Sequence, residues 1–212
     1  MKKSISIIDY GLCNIFNVAN AFRYIGCNVN IIDSPNEVDR ADHLVLPGVG
    51  AFKDGMDGLV KRNLTESIVA HAQNNKPFIG ICLGMQMMLN TSFEFGKHEG
   101  LGIISGQVKK IPNINNNLPH KIPHIGWNKL DIPSDIKESD NLLKNQDNYL
   151  SMYFIHSYHV LCANQSNIIA QTTYNDMMIV AMIKKNNIYG CQFHPEKSGS
   201  CGLQLLENFK NI

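Results

Sequence analysis

Apolar positions in the first half of the chain follow two alternating periods. Short apolar runs at Ser4–Ile8, Val29–Ile32, His43–Leu46 and Phe78–Ile81 have the length and flanks of buried strands. Between them, Ile15, Val18, Ala19 and Phe22 form a helical stripe over Asn14–Tyr24, which Gly26 closes. Leu59–Asn74 supports another helix, and the stretch from Asp33 to the third strand reads as a polar loop. This alternation predicts a parallel, doubly wound sheet. Ligands in such sheets sit beyond the carboxyl ends of the strands. Pro47-Gly48-Val49-Gly50 and Cys82 both lie at such ends.

The second half changes character. Gly106–Ile111, Trp127–Leu130, Leu150–His156, Asn167–Thr173, Met178–Lys184 and Ile188–Phe193 are strand-like runs separated by turn residues. Several are near enough in sequence to be antiparallel neighbours. Pro112–Pro123 reads as a long irregular loop, its Asn115–Asn117 run a matter of composition. A helix over Gly199–Ile212, carrying Leu203, Leu205, Leu206 and Phe209, ends the chain. The expectation is one α/β domain over residues 1–212, a mostly parallel sheet with an antiparallel extension.

At Cys82 the period switches within one residue, from the strand Phe78–Ile81 to helical spacing at Leu83, Met87 and Met88. Gly80 and Gly84 bracket it, and glycine lets the backbone turn sharply and approach a ligand closely. Such an elbow is where hydrolases of similar topology hold a serine nucleophile. A free cysteine has a pKa of about 8.5, which a helix N-terminus or a nearby imidazolium lowers. The Leu83 N–H would face a carbonyl under attack, half of an oxyanion hole. A small buried hydrophobe is the bland alternative for any cysteine; the glycine bracket argues against it here.

Composition narrows the partners. The 19 basic and 18 acidic residues leave a net charge of +1, and no basic stretch is interleaved with aromatics, so nothing points to nucleic acid. No apolar run approaches a membrane span, and Met1-Lys2-Lys3 does not open a secretory signal. Six cysteines without paired spacing fit reduced thiols and a cytoplasmic protein. No metal-ligand spacing occurs among them, and no cofactor is implied.

A thiolate needs a proton acceptor, and there are eight histidines. His43 opens a strand, His71 sits on a helix, His98 and His120 lie in polar loops, and His156 and His159 flank a short turn. His194 instead ends the strand Ile188–Phe193 and precedes Pro195 and Glu196. In extended chain, residues two apart face the same way, so Glu196 could orient the His194 ring toward Cys82. A rim histidine paired with a surface carboxylate is the plain alternative to this nucleophile–base–orienter arrangement.

Gly80-x-Cys82-x-Gly84-x-Gln86 with His194-Pro-Glu196 resembles the class I (triad) glutamine amidotransferases, a flavodoxin-like fold. The finer match is to the glutaminase subunits of imidazole glycerol phosphate synthase. It rests on Asp9-Tyr10-Gly11, Pro47–Gly50, Gly100-Leu101-Gly102, Pro123–Asn128, Tyr153–Tyr158 and Gly190–Gly199. The resemblance implies glutamine hydrolysis, with Cys82 as nucleophile, His194 as base and Glu196 as its orienter. It implies Val49 or Gly50 as second oxyanion donor, on a loop that reorients, and Gln86 and Glu94 as glutamine contacts. The ammonia would pass through a dry passage to a (β/α)8-barrel cyclase subunit in a heterodimer, with Asn14, Trp127 and Lys197 at or near the interface.

Cys13 stands where that family usually has glycine, and Phe16 and Asn17 replace a polar pair. These departures bear on the partner, not on the chemistry. A paralogue role, supplying ammonia to an amidino-sugar enzyme of surface-polysaccharide synthesis, is the alternative. A thiol peptidase and a non-catalytic binding subunit are rivals of other classes.

Overall fold

The computed structural model describes residues 3–12, 14–115, 118–119, 121–144, 146 and 150–212. Cys13, Asn116, Asn117 and His120 lie outside the described residues. The first half runs β1 (Ser4–Ile8), α1 (Ile15–Tyr24), β2 (Asn28–Ile32), α2 (Pro35–Arg40), β3 (Leu44–Leu46), α3 (Phe52–Lys61), α4 (Thr65–Gln73), β4 (Phe78–Ile81) and α5 (Leu83–Met87). Short strands follow: β5 (Thr91–Ser92), β6 (His98–Glu99), β7 (Gly106–Lys110), β8 (Ile114–Asn115) and β9 (Leu118–Pro119). Then come β10 (His124–Lys129), α6 (Ser134–Ser139), β11 (Ser151–His156), β12 (Tyr158–Cys162), β13 (Ile168–Tyr174), β14 (Met177–Lys185), β15 (Ile188–Cys191) and α7 (Gly199–Lys210).

The main sheet has seven strands in the order β13-β14-β15-β4-β3-β1-β2. From β15 to β2 all neighbours are parallel, and β14 and β13 extend the sheet antiparallel. Successive residues of a strand face opposite layers. Thus Val45 and Ile79 pack with Phe22, Leu205 and Phe209 on one side, while Leu44, Leu46 and Phe78 pack with Leu59, Ile68 and Met85 on the other. Beside this sheet lie a four-stranded sheet, β12-β7-β5-β6, and the antiparallel ribbon β10–β11. Among the described residues no helix is long and apolar enough to cross a membrane.

Several local expectations change. The helix read over Leu59–Asn74 is two helices, broken at Asn63, whose φ is +56°. The Asn63 N–H bonds the Val60 carbonyl and the Leu64 N–H the Leu59 carbonyl, the paired closure of a Schellman motif with asparagine in the glycine position. The polar loop after Asp33 contains α2, whose Ser34-Pro35-Asn36-Glu37 start carries both a capping signal and a proline at the first turn. Glu37 accepts from Ser34 Oγ and from the Asp33 N–H. The Pro112–Pro123 loop contains the pair β8–β9. His156 ends β11, as the strand reading over Leu150–His156 has it, and His159 lies on β12 across the short break at Ser157.

Candidate active site

The elbow is strained. Cys82 has φ +53° and ψ −108°, outside the regions an L-residue favours. Its N–H bonds the Cys191 carbonyl at 2.7 Å, tying the elbow to the neighbouring strand. The flanking glycines are required by contact: a Cβ on Gly84 would meet the Leu46 carbonyl oxygen at 1.8 Å, and one on Gly80 would meet the Gly84 backbone at 2.8 Å. Glycine suits the Cys82 backbone and cysteine does not, at a cost of about 1–3 kcal/mol. Cys82→Gly is therefore expected to be more stable than Cys82→Ala by about 1 kcal/mol, the reverse of the usual order; chemical denaturation of the two variants checks this.

His194 arrives from the neighbouring strand. Its N–H bonds the Tyr153 carbonyl at 2.9 Å, and Ser198 Oγ donates to its carbonyl at 2.6 Å. Glu196 reaches it differently from the extended reading: β15 stops at Cys191, and Pro195–Lys197 is a single 3₁₀ turn opened by the proline, whose fixed φ suits a helical first position. The turn still brings Glu196 Oε1 to His194 Nδ1 at 2.8 Å, with both side chains buried. Cys82 lines the same cleft as the ring and is near enough to act on its proton affinity. Burial alone would depress the imidazole, but the hydrogen bonds and charges of Cys82 and Glu196 outweigh it and raise the pKa to about 10. A base raised in this way stabilises the fold in full below its ordinary 6.5, and that contribution is lost as pH rises through about 10.

Cys82 and His194 open into a cleft of about 300 Å³. Val49, Gly50, Leu83, Gln86, Glu94 and Lys197 line it too. Leu83 is the first residue of α5, so its N–H has no intrahelical carbonyl to meet. The Val49 N–H instead donates to the Leu12 carbonyl at 3.4 Å. Gln86 Nε2 is shared between the Tyr158 carbonyl and Gln192 Oε1, both at 3.0 Å, so its carbonyl oxygen is what remains to offer a ligand. Glu94 Oε2 accepts the Phe52 N–H at 2.7 Å, at the start of α3, while burial raises its pKa.

Asn14 lines a smaller cavity shared with His194 and Glu196. Trp127 is not a core aromatic: it is 57% exposed on β10, directly opposite Tyr153. Ile125 and Ile155 share that ribbon face, and Phe16 is 71% exposed.

One residue beside Cys82, the fully buried Gln192, is absent from the sequence-based set. Its Nε2 lies 3.7 Å from Cys82 Sγ, and a signal for it exists: it stands two residues before His194 in the apolar run Ile188–Phe193 that the sequence reads as a strand. His156 also lines the cleft, with no comparable local signal. Among the described residues no cluster of three histidine, cysteine or acidic groups could hold a metal.

The family described as glutamine amidotransferase class-I matches residues 6–211. An "Imidazole glycerol phosphate synthase subunit HisH 1" from Legionella pneumophila is 50% identical over 212 residues, covering 99% of each chain. The HisH subunit of Caldanaerobacter subterraneus subsp. tengcongensis is 44% identical over 205 residues, covering 97% of this chain and 96% of its own. Among solved structures, PurLQS from Thermotoga maritima aligns with a TM-score of 0.76 at 18% identity, covering 100% of this chain and 99% of that one, a likeness of fold. An elbow cysteine facing a carboxylate-bound histidine is thus found in a sequence matched from end to end, and the chain belongs to the class-I glutamine amidotransferases of the HisH type.

Proposed function

We propose that this chain is the glutaminase subunit of an imidazole glycerol phosphate synthase, hydrolysing glutamine to glutamate and ammonia for histidine biosynthesis. The observation that carries the reading is the series Cys82–His194–Glu196, the first two lining the cleft and the third held on His194 Nδ1 behind them. Cys82 attacks the side-chain amide carbon, and the C–N bond breaks as ammonia leaves and a glutamyl thioester forms. His194 holds the thiol proton and returns it to the departing nitrogen, and water then releases glutamate. Glu196 fixes the ring through Nδ1. Gln86 and Glu94 contact the glutamine.

The developing oxyanion needs two donors. The Leu83 N–H supplies one, and Val49 or Gly50 the other once the Val49–Leu12 bond opens. Leu12 and Val49 are themselves exposed, so a docked subunit could pull on that bond directly. The partner fitting this reading is a (β/α)8-barrel cyclase subunit in a heterodimer, meeting Asn14, Trp127 and Lys197. Free ammonia in neutral water is mostly protonated and not nucleophilic, so direct transfer between subunits makes chemical sense.

The test is glutamine turnover by the chain copurified with its barrel subunit, together with growth of a deletion strain without histidine. Glutamine-dependent synthesis by the complex and histidine auxotrophy of the strain are expected. Prototrophy would remove the histidine pathway and favour the surface-sugar role; peptide rather than glutamine turnover would remove the glutaminase itself.

A further inference from the structure

Behind the cleft runs a hydrogen-bond chain with more contacts than neutral groups can fill. It starts at the Thr173 carbonyl, which accepts from Asn128 Nδ2 at 3.0 Å. Asn128 Oδ1 lies 2.9 Å from His124 Nε2, and His124 Nδ1 lies 2.9 Å from His156 Nε2. His156 Nδ1 then lies 2.8 Å from the Tyr158 carbonyl. Both ends are carbonyl oxygens, which only accept. The chain's four contacts therefore need four hydrogens. An amide threaded into it contributes one, and each neutral imidazole contributes one. Whichever tautomers and amide orientation are chosen, one link is left with two lone pairs facing each other.

We propose that His124 is held as an imidazolium, supplying the fourth hydrogen, and acts as a positioning residue for the Cys82 sulfur; it rests on the glutaminase reading only for what that sulfur does. His124 is fully buried, yet its ring lies stacked between Phe154, centroids 4.8 Å apart, and Tyr174, 4.0 Å apart. Aromatic faces attract cations. His156 is the neutral member, since burial drives its pKa down to about 3. Among the described residues, the other titratable groups facing the pair include Tyr174 on β13, His159 on β12, and His194 with its Glu196. Burial lowers the His159 pKa, and the His194 charge adds to the causes that keep His156 neutral.

From His156 the chain continues to the nucleophile. The Tyr158 carbonyl also accepts from Gln86, Gln86 donates to Gln192, and Gln192 Nε2 points at Cys82 Sγ. Removing the proton from His124 leaves a lone-pair clash somewhere along the four contacts. If His156 turns over its tautomer to relieve the contact with His124, the clash moves to the Tyr158 carbonyl. That carbonyl anchors Gln86, so the donor at the sulfur moves with it.

Imidazole ¹⁵N spectra of the full-length protein test the proton directly. Both His124 nitrogens are expected to remain N–H near pH 8, where a histidine of ordinary pKa, about 6.5, is neutral. One bare and one protonated nitrogen there overturns the proposal. Asn128→Asp, which puts a carboxylate against the same N–H, is expected to move the His124 titration upward; no movement counts against it. The pH profile of Cys82 alkylation by iodoacetamide, read on the Cys82 peptide, tests the positioning. In His124→Gln the rate near pH 7 is expected to fall about threefold or more, and a profile superimposable on wild type overturns the role. Should that variant fail to fold, the unmutated protein still decides: its alkylation profile must inflect where His124 loses its proton. None of these readouts uses glutamine turnover, so they stand or fall separately from the glutaminase reading.

Discussion

Cys82→Ala is expected to abolish glutamine-dependent synthesis by the assembled enzyme, lowering kcat on the order of 10⁴-fold or more. Alanine leaves no atom to form the thioester, and His194 and the oxyanion donors can then act only on water. Glutamine binding should change little, because Gln86, Glu94 and the cleft walls remain. Ammonium salts at high concentration should restore synthesis, since the acceptor step needs only ammonia. The imidazole should report the same change. Burial pulls the His194 pKa down, while the Cys82 hydrogen bond and charge are among the causes holding it up, so in the alanine variant it should titrate well below about 10. Unchanged turnover in Cys82→Ala would exclude the proposed nucleophile.

Legibility in the sequence follows the strength of local signals. The strands Ser4–Ile8 and Phe78–Ile81 and the switch at Cys82 are readable because a sheet buried on both faces needs continuous apolar runs. The break at Asn63 is hidden, because Leu59, Leu64 and Ile68 keep an apolar rhythm across it while one left-handed asparagine turns the chain. The contact between His194 and Glu196 follows from an extended chain on the sequence reading and is made through a 3₁₀ turn; either geometry brings the carboxylate to Nδ1. Gln192 is within reach of the same alternation argument, applied one step earlier along the run Ile188–Phe193 that the sequence reads as extended. His156 is not: its place depends on the pairing of β10 with β11, which sets His124 opposite it from 32 positions away. Trp127 is ambiguous for a related reason, since composition cannot say which face of a two-stranded ribbon is left uncovered.

Gly84→Ala should cost far more stability than an ordinary glycine substitution, because the added methyl would lie 1.8 Å from the Leu46 carbonyl oxygen and 2.9 Å from its carbon. These are backbone atoms at the carboxyl end of a parallel strand, so no rotamer change relieves the contact; α5 and β3 must part. The expected cost is about 3 kcal/mol or more, a fall in Tm of about 6–12 °C. Gly26→Ala makes the contrast: a methyl there meets nothing within 4 Å, and only the positive φ of +82° opposes it, so about 1 kcal/mol is expected. The two variants separate steric exclusion from backbone preference in one calorimetric comparison. Activity should separate them further. Leu46 runs directly into Pro47–Gly50, so pushing β3 away displaces the loop proposed to supply the second oxyanion donor, and glutamine turnover in Gly84→Ala should fall even at temperatures where the variant is fully folded. A Gly84→Ala protein with wild-type Tm and turnover would mean that the close approach of α5 to β3 does not set the geometry at Cys82.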